Sequence, residues 1–373
     1  NKIIDAKVTG DHTLVLITDG PYPPLLAQLV KLSIVPEAYV TRVGDEQFNR
    51  NPIGSGPYKF SEWQRGVKIV LEANSDYWRG TPSFATVEFQ AVKDGATRIA
   101  NLNTGSADII VAVSPDQAPE IKAANGIKVL SSPTERVGYM MMNTQFGPLA
   151  DVRVRKAIAH GLDRQLIIDA LLGGYGDVVS QLLTPAHFGW VDGIPTLPYD
   201  PDKARALLKE ANYNSDDVLV LNTSTRFSQQ LNQAVQQQLA EIGVTMKIEV
   251  SDHPTYLSRR TARPEGFGGF AIGRWSCACQ DADGVLYAMF HSSSKWSKYN
   301  NAEMDALLEA ARSTLDETVR MENYKKIHEH IYQNVPSIPV YQVTSIYGAQ
   351  DSLNWTPTAN ESMFVMDMSW TGD

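Results

Sequence analysis

The chain has 373 residues, 43% hydrophobic and 20% charged, an ordinary globular composition long enough for two or more domains. A net charge of −9, an isoelectric point near 5.3 and no Lys/Arg run longer than two argue against a phosphate-bearing partner, so neither nucleic acid nor an anionic membrane is expected. No stretch approaches the roughly 18 uninterrupted apolar residues of a membrane span.

The N-terminus, Asn1-Lys2-Ile3-Ile4-Asp5, has no initiator Met, signal pattern or lipidation Cys. It opens on a hairpin-like alternation, Ala6 to Thr9 and Thr13 to Ile17, around Gly10-Asp11, and reads as a trimmed start. Leu25 to Val35 is apolar, and Pro36 to Arg50 is polar and loop-like. Gly54-Ser55-Gly56-Pro57 is a tight turn, and alternation predicts strands at Val67–Leu71 and Val87–Val92. A helix over Ala96–Thr104, closed by Gly105, leads to a strand at Asp108–Val113. This order favours an α/β sheet.

Tyr139–Asn143 reads as an apolar strand, followed by one helix from Ala150 or Asp151 to Arg164. Val154, Ile158 and Leu162 recur on one side of it, with Arg153, Arg155, Lys156 and Arg164 mainly on the other. Gly173 to Gly176 is a loop, and Thr184 to Pro201 is rich in Pro and Gly. Asp200-Pro201 opens a helix through Ala211, with Asn212 at a left-handed position. Val218–Leu221, Ser228–Glu241 (ended by Gly243) and Thr245–Val250 form a βαβ unit, and Asn300–Arg312 and Asp316–Gln333 are amphipathic helices. The tail beyond Tyr341 has no clear period.

Several motifs in order carry a family resemblance. Asn143-Thr144, Pro148-Leu149, Asp151 to Arg155, Ala157-Ile158 and Leu162-Asp163-Arg164 resemble the N…PF-D-x-R-V-R-x-A…A-x-D-R signature of the extracellular solute-binding proteins of family 5. These are the dipeptide, oligopeptide and nickel receptors of ABC importers. Pro52 to Tyr58 resembles the family's P-x-G-T-G-P-Y turn, Asn74 to Trp78 its N-x-x-Y-W segment, and Gly105 to Ile109 its G-E-x-D-I pattern with Ser106 for the acid. Pro336 to Tyr341 resembles its P-x-I-P-L-Y strand.

The resemblance implies a two-lobed α/β periplasmic-binding-protein fold of cluster C type. Lobe I would be residues 1–145 and 345–373, incomplete at its N-terminus, and lobe II residues 146–344. It further implies a periplasmic, monomeric receptor without cofactor. Such a receptor closes on a peptide or other small solute and delivers it to an inner-membrane ABC permease. A nickel chelate, an opine or a sugar is the alternative ligand.

The loop Gly273 to Asp283 resembles the family's G-W-x-x-D-x-x-D-P-D segment, whose Trp lies beside the ligand; Trp275 is its counterpart. Ala278 stands where peptide-binding members place the Asp that pairs with a peptide ammonium, which puts simple di- and oligopeptides in question. Asp281 and Asp283 match the terminal D-P-D, but are read first as N-cap and first-turn acids of a helix over 283–290. Arg274 and Cys277 share the loop. Tyr139 and Met141 occupy positions that face ligand in the family, or are ordinary core. Arg226, His253, Arg260 and Trp296 fall in segments that form other pocket walls, the arginines being suited to a carboxylate.

Catalysis has little to stand on. Cys277 and Cys279 lie near Asp281, Asp283 and His291 in sequence, so a Cys-dependent hydrolase or a thiolate metal site is formally open. There is no C-x-x-C, no H-E-x-x-H and no G-x-S-x-G, and His328 and His330 read as lying on an exposed helix. A disulfide across one intervening residue would be badly strained. No catalytic residue and no metal ligand is assigned.

Overall fold

The computed structural model describes residues 2–262, 268–277 and 279–371. Two compact units emerge: residues 1–31 with 135–343, and residues 32–134 with 344–373. The division expected at 145 and 345 is drawn here at 134/135 and 343/344, and the first 31 residues group with the second stretch.

In chain order the first elements are a hairpin of β1 (Ile3–Gly10) and β2 (Thr13–Thr18), then α1 (Leu25–Leu29) and α2 (Glu37–Arg50). The loop expected over 36–50 is therefore a helix. Pro36 precedes it, Glu37 sits in its first turn and Arg50 in its last, the charge order that suits a helix dipole, and Gly44 with φ 77° interrupts it. No residue of α2 is buried.

The unit of residues 32–134 and 344–373 continues with β3 (Tyr58–Gln64), β4 (Lys68–Ala73) and β5 (Thr86–Gln90), an antiparallel three-stranded sheet. Asp94 caps α3 (Gly95–Asn103) by accepting the Thr97 N–H at 2.8 Å, and β6 (Ile109–Ile110) and α4 (Ala118–Ala123) follow. The expected strand 108–113 is cut to two residues. Leu353, Trp355 and Met368 form a small core here with Tyr347 and Ala349.

The other unit holds the larger core. Strand β7 (Ile127–Met142) crosses into it. The single helix expected next is two: α5 (Val152–His160), capped by Asp151, and α6 (Arg164–Leu172), capped by Asp163. The second cap ends the apolar period at Leu162. Arg155 and Arg164 also depart from the expected exposed side, being 4% and 7% exposed. Arg155 donates to the carbonyls of Leu149 (2.8 Å), Ala150 (2.9 Å) and Asn334 (2.6 Å), and Arg164 to that of Pro339 (3.1 Å). Each guanidinium has donors enough to serve several carbonyls at once.

Next come β8 (Gly176–Asp177), α7 (Pro201–Glu210), β9 (Leu219–Ser224), α8 (Gln229–Glu241) and β10 (Met246–Ser251). Asn212 adopts φ 51°, the left-handed conformation expected of it. The chain goes on through α9 (His253–Thr261), β11 (Phe270–Trp275), a π-helical turn (Asp283–Tyr287) running into α10 (Ala288–Phe290), then α11 (Ala302–Arg312) and α12 (Glu317–Asn334). It ends in β12 (Ser337–Gln350), β13 (Leu353–Asn354) and β14 (Ser369–Trp370). In this unit the strand order is β10-β9-β11-β7-β12, with β8 on β12; beyond Val343, β12 pairs with β6 in the other unit's own part of the chain.

The sheet separates two apolar clusters. Met140, Met142, Phe270 and Ile272 meet α5 to α8 on one side, while Val137, Tyr139 and Met141 meet α10 to α12 on the other. This alternation is the period of two of a strand buried on both faces. His328 and His330 on α12 are buried, contrary to the exposed face expected of them, because α12 packs against α11 and lies over Gly189.

Candidate carboxyl-edge binding site

β9 and β10 run parallel, with Ser224 level with Ser251, and β11 is parallel to β9, with Ala271 level with Asn222. Their C-terminal ends therefore lie along one edge of the sheet, where the chain turns from strand to helix. In open α/β sheets this carboxyl edge is where ligands are held. Ser224, Ser251 and Trp275 end the three strands there.

Trp275 lies opposite Val137 of β7 and is half-buried. Its indole Nε1 donates to the Gly284 carbonyl at 3.3 Å. Its ring meets that of Trp296 edge to face, with centroids 5.2 Å apart. Arg260, fully buried on α9, donates to the Trp296 carbonyl, and its guanidinium carbon lies 5.8 Å from the Trp296 ring centroid. Trp275, Trp296 and Arg260 thus come together.

α9 supplies more of this wall through one helical face. Asp252 caps it by accepting the Thr255 N–H, and His253, Tyr256 and Arg260 follow at spacings of three and four. His253 stacks on Tyr256 at 5.9 Å, and its Nδ1 lies 3.2 Å from Ser224 Oγ. Tyr256 donates to the Ile272 carbonyl at 2.7 Å, and burial pushes its phenol pKa up. Lys298 is buried nearby, its Nζ donating to the Ala262 carbonyl at 3.0 Å. Burial, with Arg260 second, pushes the Lys298 pKa down to about 8.

The remaining candidates fall elsewhere. Arg274 neighbours Trp275 but points to the other face of β11, where it donates to Tyr341 Oη at 3.3 Å. Tyr139 and Met141 are buried in the core; the Tyr139 ring crosses Gly273, where an added Cβ would meet its Oη at 2.7 Å. Arg226 is exposed beyond β9, its backbone N–H bonded to Ser224 Oγ at 3.2 Å. Ala278, the position of the expected ammonium question, lies outside the described residues.

The bridge judged strained from its spacing is formed: Cys277 and Cys279 are disulfide-bonded. A turn in which Gln280 N–H donates to the Cys277 carbonyl at 2.8 Å brings the two Cα atoms to 5.0 Å, inside the ordinary range for disulfides. Asp281 and Asp283 take the structural role. Asp281 accepts the Asp283 N–H at 2.9 Å and pairs with Arg320 at 2.9 Å, and Asp283 pairs with Arg312 at 3.0 Å. Burial still raises the Asp283 pKa. Sequence reasoning missed Tyr256 and Lys298; the three-and-four spacing from His253 to Arg260 was the available signal for the first, and Lys298 had none.

The family model described as "Bacterial extracellular solute-binding proteins, family 5 Middle" matches residues 1–297. The chain belongs to that family. Relatives of this family-5 chain include the dipeptide-binding protein of Escherichia coli K12, 27% identical over 359 residues, and a glutathione-binding protein GsiB of Salmonella typhimurium, 30% identical over 357 residues. The alignments take in 92% and 91% of the chain but only 66% and 68% of the relatives, so it spans about two thirds of their length. Among solved structures, the ABC transporter substrate-binding protein CtaP of Listeria monocytogenes superposes with a TM-score of 0.89 at 25% identity, covering 98% of this chain and 77% of that one. The α/β binding-protein fold implied by the motifs is the fold found.

Proposed function

We propose that this family-5 chain is the solute-capturing component of an ABC importer, exported to the periplasm, acting as a monomer and without catalysis of its own. Its two compact units serve as the lobes, a peptide or peptide-like solute binds at the carboxyl edge of the larger unit, and closure presents the solute to an inner-membrane permease. The observation that carries this reading is the position of Trp275. The residue that resembles the family's ligand-side Trp ends a parallel strand at the carboxyl edge, against Trp296, whose ring centroid lies 5.8 Å from the Arg260 guanidinium carbon. Two flat indoles and a buried guanidinium suit an amide backbone and a carboxylate. Names borne by relatives, dipeptide-binding and glutathione-binding, support a peptide ligand.

Calorimetry against dipeptides, tripeptides and their amine-blocked forms tests the reading. Saturable binding of at least one peptide, weakened by Trp275→Ala, is expected. Binding of a sugar or metal chelate with no peptide response overturns the peptide assignment and leaves the receptor role standing.

A further inference from the structure

The bridge in the loop after Trp275 sits in an asymmetric setting. Two donors face Cys277 Sγ: the Lys31 ammonium at 3.2 Å and the backbone N–H of Cys279 at 3.4 Å. Cys279 Sγ is faced by the neutral Gln28 amide at 3.5 Å, and it lies 3.8 Å from the Asp281 carbonyl oxygen. The acids nearby, Asp281 and Asp283, are engaged with Arg320 and Arg312. A thiolate formed at Cys277 is therefore stabilised by a cation and an N–H, while one formed at Cys279 would face a carbonyl lone pair.

From this we infer that Cys277–Cys279 is a thiol–disulfide exchange site for a small-molecule thiol, with Cys279 the sulfur attacked and Cys277 the sulfur released. The incoming thiol loses its proton to solvent. Its thiolate forms a bond to Cys279 Sγ, the Cys277–Cys279 bond breaks, and that electron pair leaves on Cys277 Sγ beside Lys31. A second thiol then attacks the adduct sulfur, giving the small-molecule disulfide and the Cys279 thiolate; two thiols are oxidised and the bridge is reduced by two electrons.

Access depends on the cover over the sulfurs, which are 4% and 6% exposed. Gln28 lies on α1, a five-residue helix with no buried residue, so its amide swings off Cys279 by a local opening. Lys31 lies beyond the helix end, on a long flexible stem. Gly284 packs beneath both sulfurs so closely that no side chain fits there, and its carbonyl holds the Trp275 indole.

The test treats the oxidised, folded chain with limiting 2-mercaptoethanol, quenches in acid, alkylates the free thiol and maps both modifications by mass spectrometry. The adduct is expected on Cys279 and the alkyl group on Cys277. Lys31→Met is expected to slow native reduction by on the order of tenfold, with no change in the rate once both proteins are unfolded in urea. An adduct on Cys277, an even split between the two sulfurs, equal native rates for wild type and Lys31→Met, or a folded chain that resists reduction would each overturn the inference. The adduct map needs only the wild-type chain, so a poorly folded Lys31→Met does not blunt it.

Discussion

Trp275 and Trp296 meet edge to face, their ring planes at 71° and their centroids 5.2 Å apart. One ends β11 and the other lies on the loop before α11, so their contact ties the strand end to the loop that follows α10. Each is half-buried, so the pair keeps an apolar face toward solvent while its backs are anchored by Gly284 and Arg260. A preformed indole wall costs little ordering on binding.

Trp275→Ala should therefore weaken solute binding by about 2 kcal/mol or more, as loss of a buried aromatic anchor does, while the far-UV circular dichroism stays that of the wild type. Titration calorimetry with the best-binding peptide measures the first quantity. A variant that unfolds, with unchanged affinity in its folded fraction, would make Trp275 a core residue.

Arg155 joins three segments through carbonyls of Leu149, Ala150 and Asn334. Burial pushes its guanidinium pKa down, yet an arginine keeps its charge. Arg155→Ala removes these bonds and leaves the buried Leu149 carbonyl without this donor, and should cost about 3 kcal/mol of stability by urea unfolding. Arg155→Lys, with its point charge and three donors, should fall between the two. A loss below about 1 kcal/mol for the alanine variant would show that water replaces the guanidinium.

The sequence spoke clearly where one face of an element is buried. The βαβ run from β9 to β10 and the helices α7, α8, α11 and α12 fall within a few residues of their expected bounds, because apolar period and cap residues coincide there: Asp200, Ser228, Asn301 and Asp316 all cap as their side chains allow. Helix α2 was missed because Pro36 at its start and Gly44 inside it are turn-forming residues in a polar stretch. Arg155 and Arg164 misled because a cation on a helix is taken for a solvent-facing residue until the carbonyls it must serve are known. At the candidate site, Trp275 was named from its motif, and Trp296 and Arg260 only from the segments they fall in. Lys298 was not, since nothing local marks a lysine whose partners are backbone carbonyls of its own loop and of Ala262.

His328 is buried on α12, its Nε2 3.0 Å from the Gly189 carbonyl, and burial pushes its pKa down to about 4. The neutral ring carries its proton on Nε2 and donates it. Since the folded pKa lies below the unfolded value near 6.5, the unfolded chain binds more protons in between. The contribution is whole above about pH 6.5 and is lost as pH falls toward 4. Between pH 7 and 4.5 the urea midpoint of the wild type should drop further than that of His328→Gln. Parallel losses in the two proteins would place the acid sensitivity elsewhere.

Lys298 follows the same linkage with the same sign, in a more alkaline window. Its pKa falls from 10.5 to about 8, chiefly through burial and then through Arg260. Between those values the folded chain binds fewer protons than the unfolded chain, so stability rises with pH across about 8 to 10.5. Below that window the cost of holding a buried ammonium is fully present, offset by its bonds to the Ala262 and Lys295 carbonyls at 3.0 and 3.2 Å. Lys298→Met has no such titration. Urea midpoints measured at pH 7.5, 9 and 10 should therefore show the wild type gaining on the variant as the pH climbs, the gain beginning near pH 8. If the difference between the two stays flat across the series, the ammonium is hydrated in the folded chain, and the Trp296 wall beside it is wetter than its burial indicates.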